Sequence, residues 1–522
     1  MKKLVFRPVR PARPAKPARP AKPAIPAAPT MFTMSRVSIV PVAPVMPIVP
    51  VVPMALLVLL ALLWSGGAAC GAGGSFFIKN GDRVCFYGAS ITEQRFHAVD
   101  VETYVLTRFP KLHVRFVNSG VGGDGVAGGW AGPIKLRLRR DVFAFKPDVV
   151  IINDLPMNDT RYRPFNPKTY RAFCKGYVHI IRSLRAHLPG VRIVLVEPAA
   201  FDDITHAPRF PGGVNGVLLK YCGFIRKVAA KDHLLCVNMN RPMVEVLKAA
   251  ERADPVLAKQ IIPGRLHPSA AGQLVMAQAL LKAMGARAVV TAVTINAKKR
   301  SVSAAAHTAV SGLADNRGVL SWKQADRCLP MPVMSLHENW PQFPPIGLWP
   351  APAPDMARTN PVTAFTIKLS GFMHALDREP LRVTHLTAAE YALRIDGKLM
   401  GTFSAAELAH GINLARLPTP MLAQAYKVMA LAWERTQVRF TYWRQVQLPM
   451  ADIGQPGLFP LNTNSSVKAR RAVGAIGRAF NQLQALIIRR QRMAAQPTTH
   501  RFQLVPENGA AVTQAQKPRG GN

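Results

Sequence analysis

The sequence predicts an α/β protein: a five-stranded parallel sheet with helices on both faces, followed by a β-rich part with helices and a helical C-terminal arm. Two observations carry the sheet. Five short apolar runs, "RVCFYG" at 83–88, "HVRFVN" at 113–118, "DVVIIN" at 148–153, "VRIVLVE" at 191–197 and "HLLCVNM" at 233–239, are nearly continuous rather than alternating. Strands buried on both faces read this way. Helical candidates separate the runs, near 93–108, 133–145, 167–187 and 216–231, and two more follow, near 241–251 and 269–284. Strand–helix alternation implies parallel strands covered on both sides. A third observation is bulk: 522 residues with a 49% apolar fraction supply real cores for roughly two to four domains.

What precedes the first run is of another kind. From Pro8 to Pro29 a proline falls at every third residue, and the spacing returns from Pro41 to Pro53. Such repeats form polyproline II or stay disordered, without a core. A leucine-rich run from Met54 to Leu63 and the stretch "SGGAACGAGG" follow. Ten apolar residues are too short to span a bilayer and suit a signal-peptide core with small residues beyond it. Export to a periplasmic or extracellular space is therefore expected, with Cys70 as a lipid-anchor candidate and this hydrophobic segment as the one route to a membrane.

Ligands of open parallel sheets bind beyond the carboxyl ends of the strands. Three of those ends carry chemistry-bearing residues. Gly88-Ala89-Ser90 follows the first run, the glycine-rich "NSGVGGDGVAGG" at 118–129 the second, and "LPMNDTRYR", with Asn158, the third. "IIPGRLHPSAAG" then places His267 just before a helix. Serine, glycine amides, asparagine and histidine form a set with a mechanism: a hydroxyl attacks an acyl carbon, an imidazole takes its proton, and amides hold the oxyanion. Asp202 and Asp203, just past the fourth strand, are candidate carboxylates that read better as loop acids, and Asp254 is a weaker candidate.

These four blocks, in this order over about residues 80–285, resemble the SGNH/GDSL hydrolases, most of all the large bacterial members with a C-terminal extension. The resemblance implies a three-layer α/β/α sandwich of flavodoxin-like type that hydrolyses esters without metal or cofactor. It implies Ser90 as nucleophile, His267 as base, and an oxyanion hole from Ser90, Gly123 and Asn158. Three positions depart from the family pattern. Ala89 stands where the family has Asp, Pro156 where it has Gly, and Gly264 where it has the Asp that orients the histidine. The last departure leads to the expectation of an impaired or dyad-like site. The alternative is a non-catalytic glycan- or polyanion-binding protein on a degenerate fold of this type.

The boundaries expected are 1–74 for the low-complexity and signal-like segment, 75–286 for the hydrolase domain, 287–450 for a β-rich accessory domain and 451–522 for a helical arm with a disordered tail. Within the accessory part, Asp396-Gly397 marks a hairpin turn, Ser404 and Glu407 a capping box, and Thr419-Pro420 the entry of a long helix. The last helix shows Val473, Ile476, Phe480, Leu483 and Ile487 at spacings of three and four, a face that docks on a neighbour. The net charge is +39, and +30 for the residues beyond 70, since no acidic residue precedes Asp82. That excess attracts polyanions in general, but no dense Lys/Arg stripe with interleaved aromatics points to specific nucleic-acid binding. The expected partner is a small-molecule or polysaccharide ester. The six cysteines show no CxxC pairing; Cys85 and Cys236 read as buried free thiols, one disulfide is compatible with export, and no metal site is expected.

Overall fold

The structure, a computed structural model, describes residues 75–334, 360–448 and 463–507. The expectations for residues 1–74, Cys70 among them, lie outside the described residues.

The chain runs through β1 (Arg83–Gly88), α1 (Ser90–Glu93), α2 (Phe96–Arg108), β2 (Arg115–Gly120), β3 (Gly128–Gly129) and β4 (Gly132–Pro133). It continues through α3 (Ile134–Arg137), β5 (Val149–Ile152), α4 (Leu155–Asp159), α5 (Pro167–His187), β6 (Arg192–Glu197), α6 (Gly213–Asp232) and β7 (Leu235–Asn238). Then come α7 (Asn240–Ala253), α8 (Pro255–Ile261) and α9 (Ala270–Ala283). Strands β1, β2, β5, β6 and β7 form one sheet in the order β2-β1-β5-β6-β7, every pair parallel. Neighbouring residues on a strand face opposite sides, and both sides are filled. Val84, Phe86, Val149, Ile151, Val194 and Val196 enter one apolar core, and Cys85, Tyr87, Val150, Ile152, Ile193 and Leu195 the other. This is why the runs are continuous in sequence. The order reverses between β1 and β5, the place where such sheets open a crevice.

Beyond the sandwich lie β8 (Ala292–Asn296), β9 (Ser301–Ala306), β10 (Thr308–Asn316), β11 (Val319–Asp326), α10 (Pro361–Ser370), α11 (Phe372–Leu376), β12 (Pro380–Thr384), β13 (Glu390–Ile395) and β14 (Lys398–Ser404). They are followed by α12 (Ala405–His410), β15 (Ile412–Asn413), α13 (Pro420–Thr441), α14 (Thr463–Ala494) and β16 (Thr499–Pro506). Two sheets, β10-β11-β16-β13-β14 and β15-β12-β8-β9, enclose a third core in which Trp322 and Phe502 stack at 5.2 Å. The expected hairpin turn has φ of +50° at Asp396 and +79° at Gly397, the pairing of a type I′ turn. The capping box at Ser404 and Glu407 and the Thr419 cap with Pro420 at N1 are also present.

Four expectations need correction. Residues 499–506, placed in a C-terminal tail, are the central strand of the accessory sheet, paired with β11 and β13. On α14, Ile487 is buried, but Ile476 and Leu483 are exposed, because the helix leans on α13 through a face rotated from the expected stripe. The candidate at 93–108 breaks at Arg95, whose φ of +71° ends α1 and starts α2. Cys236, read as a buried thiol, is only half-buried because β7 is the edge strand of its sheet; Cys85, Cys174, Cys222, Cys236 and Cys328 are free, and burial pushes the Cys85 thiol up to about 12.

All thirteen residues of α2 are buried, polar ones included. Helix α9 covers one side and α13 the other, where Phe96 stacks on Trp433 at 5.7 Å. Arg435 pairs with both carboxylate oxygens of Glu102, donates to the Phe116 carbonyl at 2.7 Å, and Gln491 of α14 donates to the same carboxylate at 3.0 Å. The C-terminal helices thereby pack directly on the helix that follows Ser90.

Candidate active site

Ser90 is the first residue of α1, so its amide has no partner within that helix. Its flanks are held by Asp154, which lies between β5 and α4. The Asp154 carboxylate accepts from the Ala89 amide at 2.9 Å, the Ile91 amide at 2.9 Å, the Thr92 amide at 3.3 Å and the Thr92 hydroxyl at 2.6 Å. Burial pushes the Asp154 carboxyl up, and these donors pull it back. The close approach explains Gly88: a Cβ there meets Asp154 Oδ1 at 2.2 Å and Thr92 Oγ1 at 2.3 Å. Nothing in the sequence distinguishes Asp154 from an ordinary residue at a strand end.

His267 arrives from a turn that carries φ of +68° at Gly264 and +74° at Arg265. Its Nε2 lies 2.9 Å from Ser90 Oγ, across 177 residues of sequence. The expected helix follows directly, with Ser269 as its cap. Asp202 and Asp203 are loop acids. Asp202 accepts from the Ile204 and Thr205 amides and the Thr205 hydroxyl, and lies 3.3 Å from His206 Nδ1; Asp203 accepts from the Asn215 amide. Asp254 caps α8.

The glycine-rich loop runs past Ser90. A Cβ on Gly122 comes within 3.7 Å of Ser90 Cβ. The Gly122 amide donates to Glu93 Oε2 at 2.7 Å, and the Gly122 carbonyl accepts from Trp130 Nε1 at 2.7 Å. Burial raises the Glu93 carboxyl, opposed by that amide and by Arg444, whose Nη1 stands 3.7 Å away. The Arg444 guanidinium also lies 4.2 Å over the ring of Trp130, which is 59% exposed. Gly123 has φ of +81°, a left-handed conformation that favours glycine. The amides of Ser90 and Gly123 have no acceptor among the described residues.

Asn158 lies on α4. Its side-chain amide donates to the Asp124 carbonyl at 2.8 Å, and its oxygen accepts from the Tyr162 hydroxyl at 2.5 Å, which fixes which end of the amide is the donor. Pro156 falls in the first turn of this helix, where its missing N–H costs no bond. Among the described residues no group of three or more His, Cys, Asp or Glu is arranged to hold a metal ion, and no helix is long and apolar enough to cross a membrane. The structure thus brings Ser90, His267 and the glycine loop together at the crevice between β1 and β5, with Asn158 on the Asp124 carbonyl. The bracing of Asp154, Glu93, Trp130, Tyr162 and Arg444 is added by the fold.

Residues 86–275 match the model of the GDSL-like Lipase/Acylhydrolase family. A curated relative, an acetylxylan esterase of Geobacillus stearothermophilus, is 28% identical over 228 residues, 40% of this chain and 96% of that protein. Among solved structures, a gut microbial diltiazem-metabolizing enzyme is similar with a TM-score of 0.68 and 26% identity, over 84% of this chain and all of that one. A solved acetylxylan esterase from Geobacillus stearothermophilus is similar over 40% of this chain and 97% of its own, with 23% identity and a TM-score of 0.34.

Proposed function

Because residues 86–275 belong to the GDSL-like lipase/acylhydrolase family and make this an ester-hydrolysing enzyme, we propose that Ser90 is its nucleophile and His267 its base. The observation that carries this reading is the 2.9 Å contact between Ser90 Oγ and His267 Nε2, made by residues at the ends of different strands and loops. The Ser90 hydroxyl adds to the ester carbonyl carbon as its proton moves to Nε2. The developing oxyanion is held by the Ser90 and Gly123 amides and the Asn158 side-chain amide. Collapse breaks the bond to the alcohol, which leaves with the proton from His267. Water, deprotonated by the same nitrogen, then adds to the acyl-serine and releases the acid. Position 264, three before the histidine, supplies no carboxylate to this cycle, so turnover is set below that of a site with Asp there.

The substrate class we assign is an acyl or acetyl ester on a small molecule or a carbohydrate polymer. It rests on the relative named for acetylxylan. Export is part of the proposal, supported by the ten-residue apolar run and the small residues after it. The test is hydrolysis of p-nitrophenyl acetate and of acetylated xylan by the chain beside Ser90→Ala. A loss of at least about 10³-fold in kcat in the variant is expected; equal rates overturn the assignment.

A further inference from the structure

Both ends of the Gly122 residue are tied down, and by groups that do not touch the reacting atoms. Its amide is held by Glu93, three residues after the nucleophile on α1. Its carbonyl is held by the indole N–H of Trp130, which sits between the two-residue strands β3 and β4. The carbonyl of Gly122 and the amide of Gly123 belong to one planar trans peptide, in which C=O and N–H point in opposite directions. Fixing the carbonyl on the Trp130 side therefore fixes the Gly123 N–H on the other. With glycine on both sides of this peptide, the backbone alone does little to prevent its rotation.

We propose that Trp130 is a positioning residue of the oxyanion hole: its indole N–H, bonded to the Gly122 carbonyl, sets the 122–123 peptide so that the Gly123 amide faces the oxygen of the acyl group on Ser90. Arg444, from the segment that continues α13, is the second half of the device. Its guanidinium lies over the Trp130 ring at 4.2 Å and stands 3.7 Å from Glu93, touching both groups that hold Gly122. An indole 59% exposed makes little core, so its fixed orientation comes from these two contacts. The C-terminal helices thereby reach the catalytic cycle through one ring. Unless the peptide is held, it rotates and its carbonyl faces the oxyanion, an arrangement that repels the transition state while leaving substrate binding almost unchanged.

This inference rests on Ser90 being the nucleophile, and the experiment separates the two. The full chain, Trp130→Phe, which keeps a ring and loses the N–H, and Arg444→Ala are compared in p-nitrophenyl acetate kinetics, in the rate of labelling by a fluorophosphonate, and in thermal melting. Expected for Trp130→Phe is a fall of roughly 10- to 10²-fold in kcat, up to the effect of losing one oxyanion donor, with KM within about twofold and a melting temperature close to that of the parent. Labelling slows in proportion, because the phosphonyl oxygen takes the same site. Arg444→Ala lowers kcat by a smaller factor, about three- to tenfold, again with KM held. A Trp130→Phe protein that labels and turns over at the parental rate overturns this inference alone. A parent that is not labelled at Ser90 overturns the catalytic reading and this inference with it. A matched rise in KM with kcat unchanged assigns Trp130 to substrate binding and also overturns it.

Discussion

The Asp154 carboxylate holds the amides of Ala89 and Ile91 at 2.9 Å each and passes over the amide of Ser90 between them. Ser90 is thus presented by a buried acid bonded to its neighbours on both sides. Asp154→Asn replaces one acceptor oxygen by an amide NH2, a donor facing N–H donors. We expect a stability loss of about 1–3 kcal/mol and a fall in kcat larger than that in kcat of Thr92→Val. Urea unfolding and ester kinetics on the same preparations check both; an Asn variant of parental stability refutes the bracing role.

Asp159 accepts from the Val126 amide of the glycine loop at 3.0 Å, and burial pushes its carboxyl up to about 6. A carboxyl whose folded pKa lies above its unfolded value of about 3.9 binds its proton more tightly in the folded state. Stability therefore falls as pH rises from about 4 through about 6 and levels off above. Asp159→Asn keeps an oxygen for Val126 and cannot ionise. Between pH 4 and 7.5 the variant loses less stability than the parent, by about 2–3 kcal/mol. Urea midpoints at the two pH values measure this, and parallel pH slopes count against it.

Gly264 has φ of +68°, so any side chain there is strained. Gly264→Ala and Gly264→Asp are each expected to lose about 1–2 kcal/mol, Asp less than Ala because it tolerates the left-handed region better. The pair shares the strain and differs in the carboxylate. The Asp variant is expected to turn over at least about tenfold faster than the Ala variant, the orienting carboxylate of a serine–histidine site being worth up to about 10⁴. Equal turnover of the two means that a carboxylate at 264 does not serve His267.

Arg435 and Glu102 are both buried and joined at two points. Arg435→Met leaves the Glu102 charge without its cation and is expected to cost about 3–5 kcal/mol. Arg435→Met combined with Glu102→Gln costs less than Arg435→Met alone, since the stranded charge is gone. Guanidinium unfolding of the three proteins tests the ordering; additive losses refute the pairing.

The parallel sheet was legible because both faces of each strand are buried, which writes an uninterrupted apolar run into the sequence. The blocks that carry Ser90 and His267 stand out in the sequence by their order, one after a strand and one before a helix, with no distance attached. Asp154 was not, since the Asn-Asp pair after "VVII" reads as a turn; its hydrogen bonds to residues 89–92 exist only in the folded chain. Trp130 stands just past the glycine-rich run and carries no local signal, because what matters is a carbonyl eight residues earlier and an arginine far along the chain. In β16 the alternation of His500, Phe502 and Leu504, all buried, was present but stood next to a polar tail and apart from any other strand. Helix α2 carries charged residues on every side; its burial depends on α13, which no local pattern encodes.

The position of β16 bears on the order in which this protein can be made. Its neighbours in the sheet lie between residues 308 and 404, yet the strand that joins the β11 hairpin to the β13 hairpin begins at Thr499. During synthesis those hairpins wait, each with an open edge, while the long helices α13 and α14 emerge from the ribosome. The sandwich with Ser90 and His267 can close early, since domains fold as units from the N-terminal side. The accessory sheet cannot. A chain interrupted between residues 404 and 499 presents two unpaired hydrogen-bonding edges, the kind of surface that pairs with other chains, so this sheet depends on a strand made long after its neighbours.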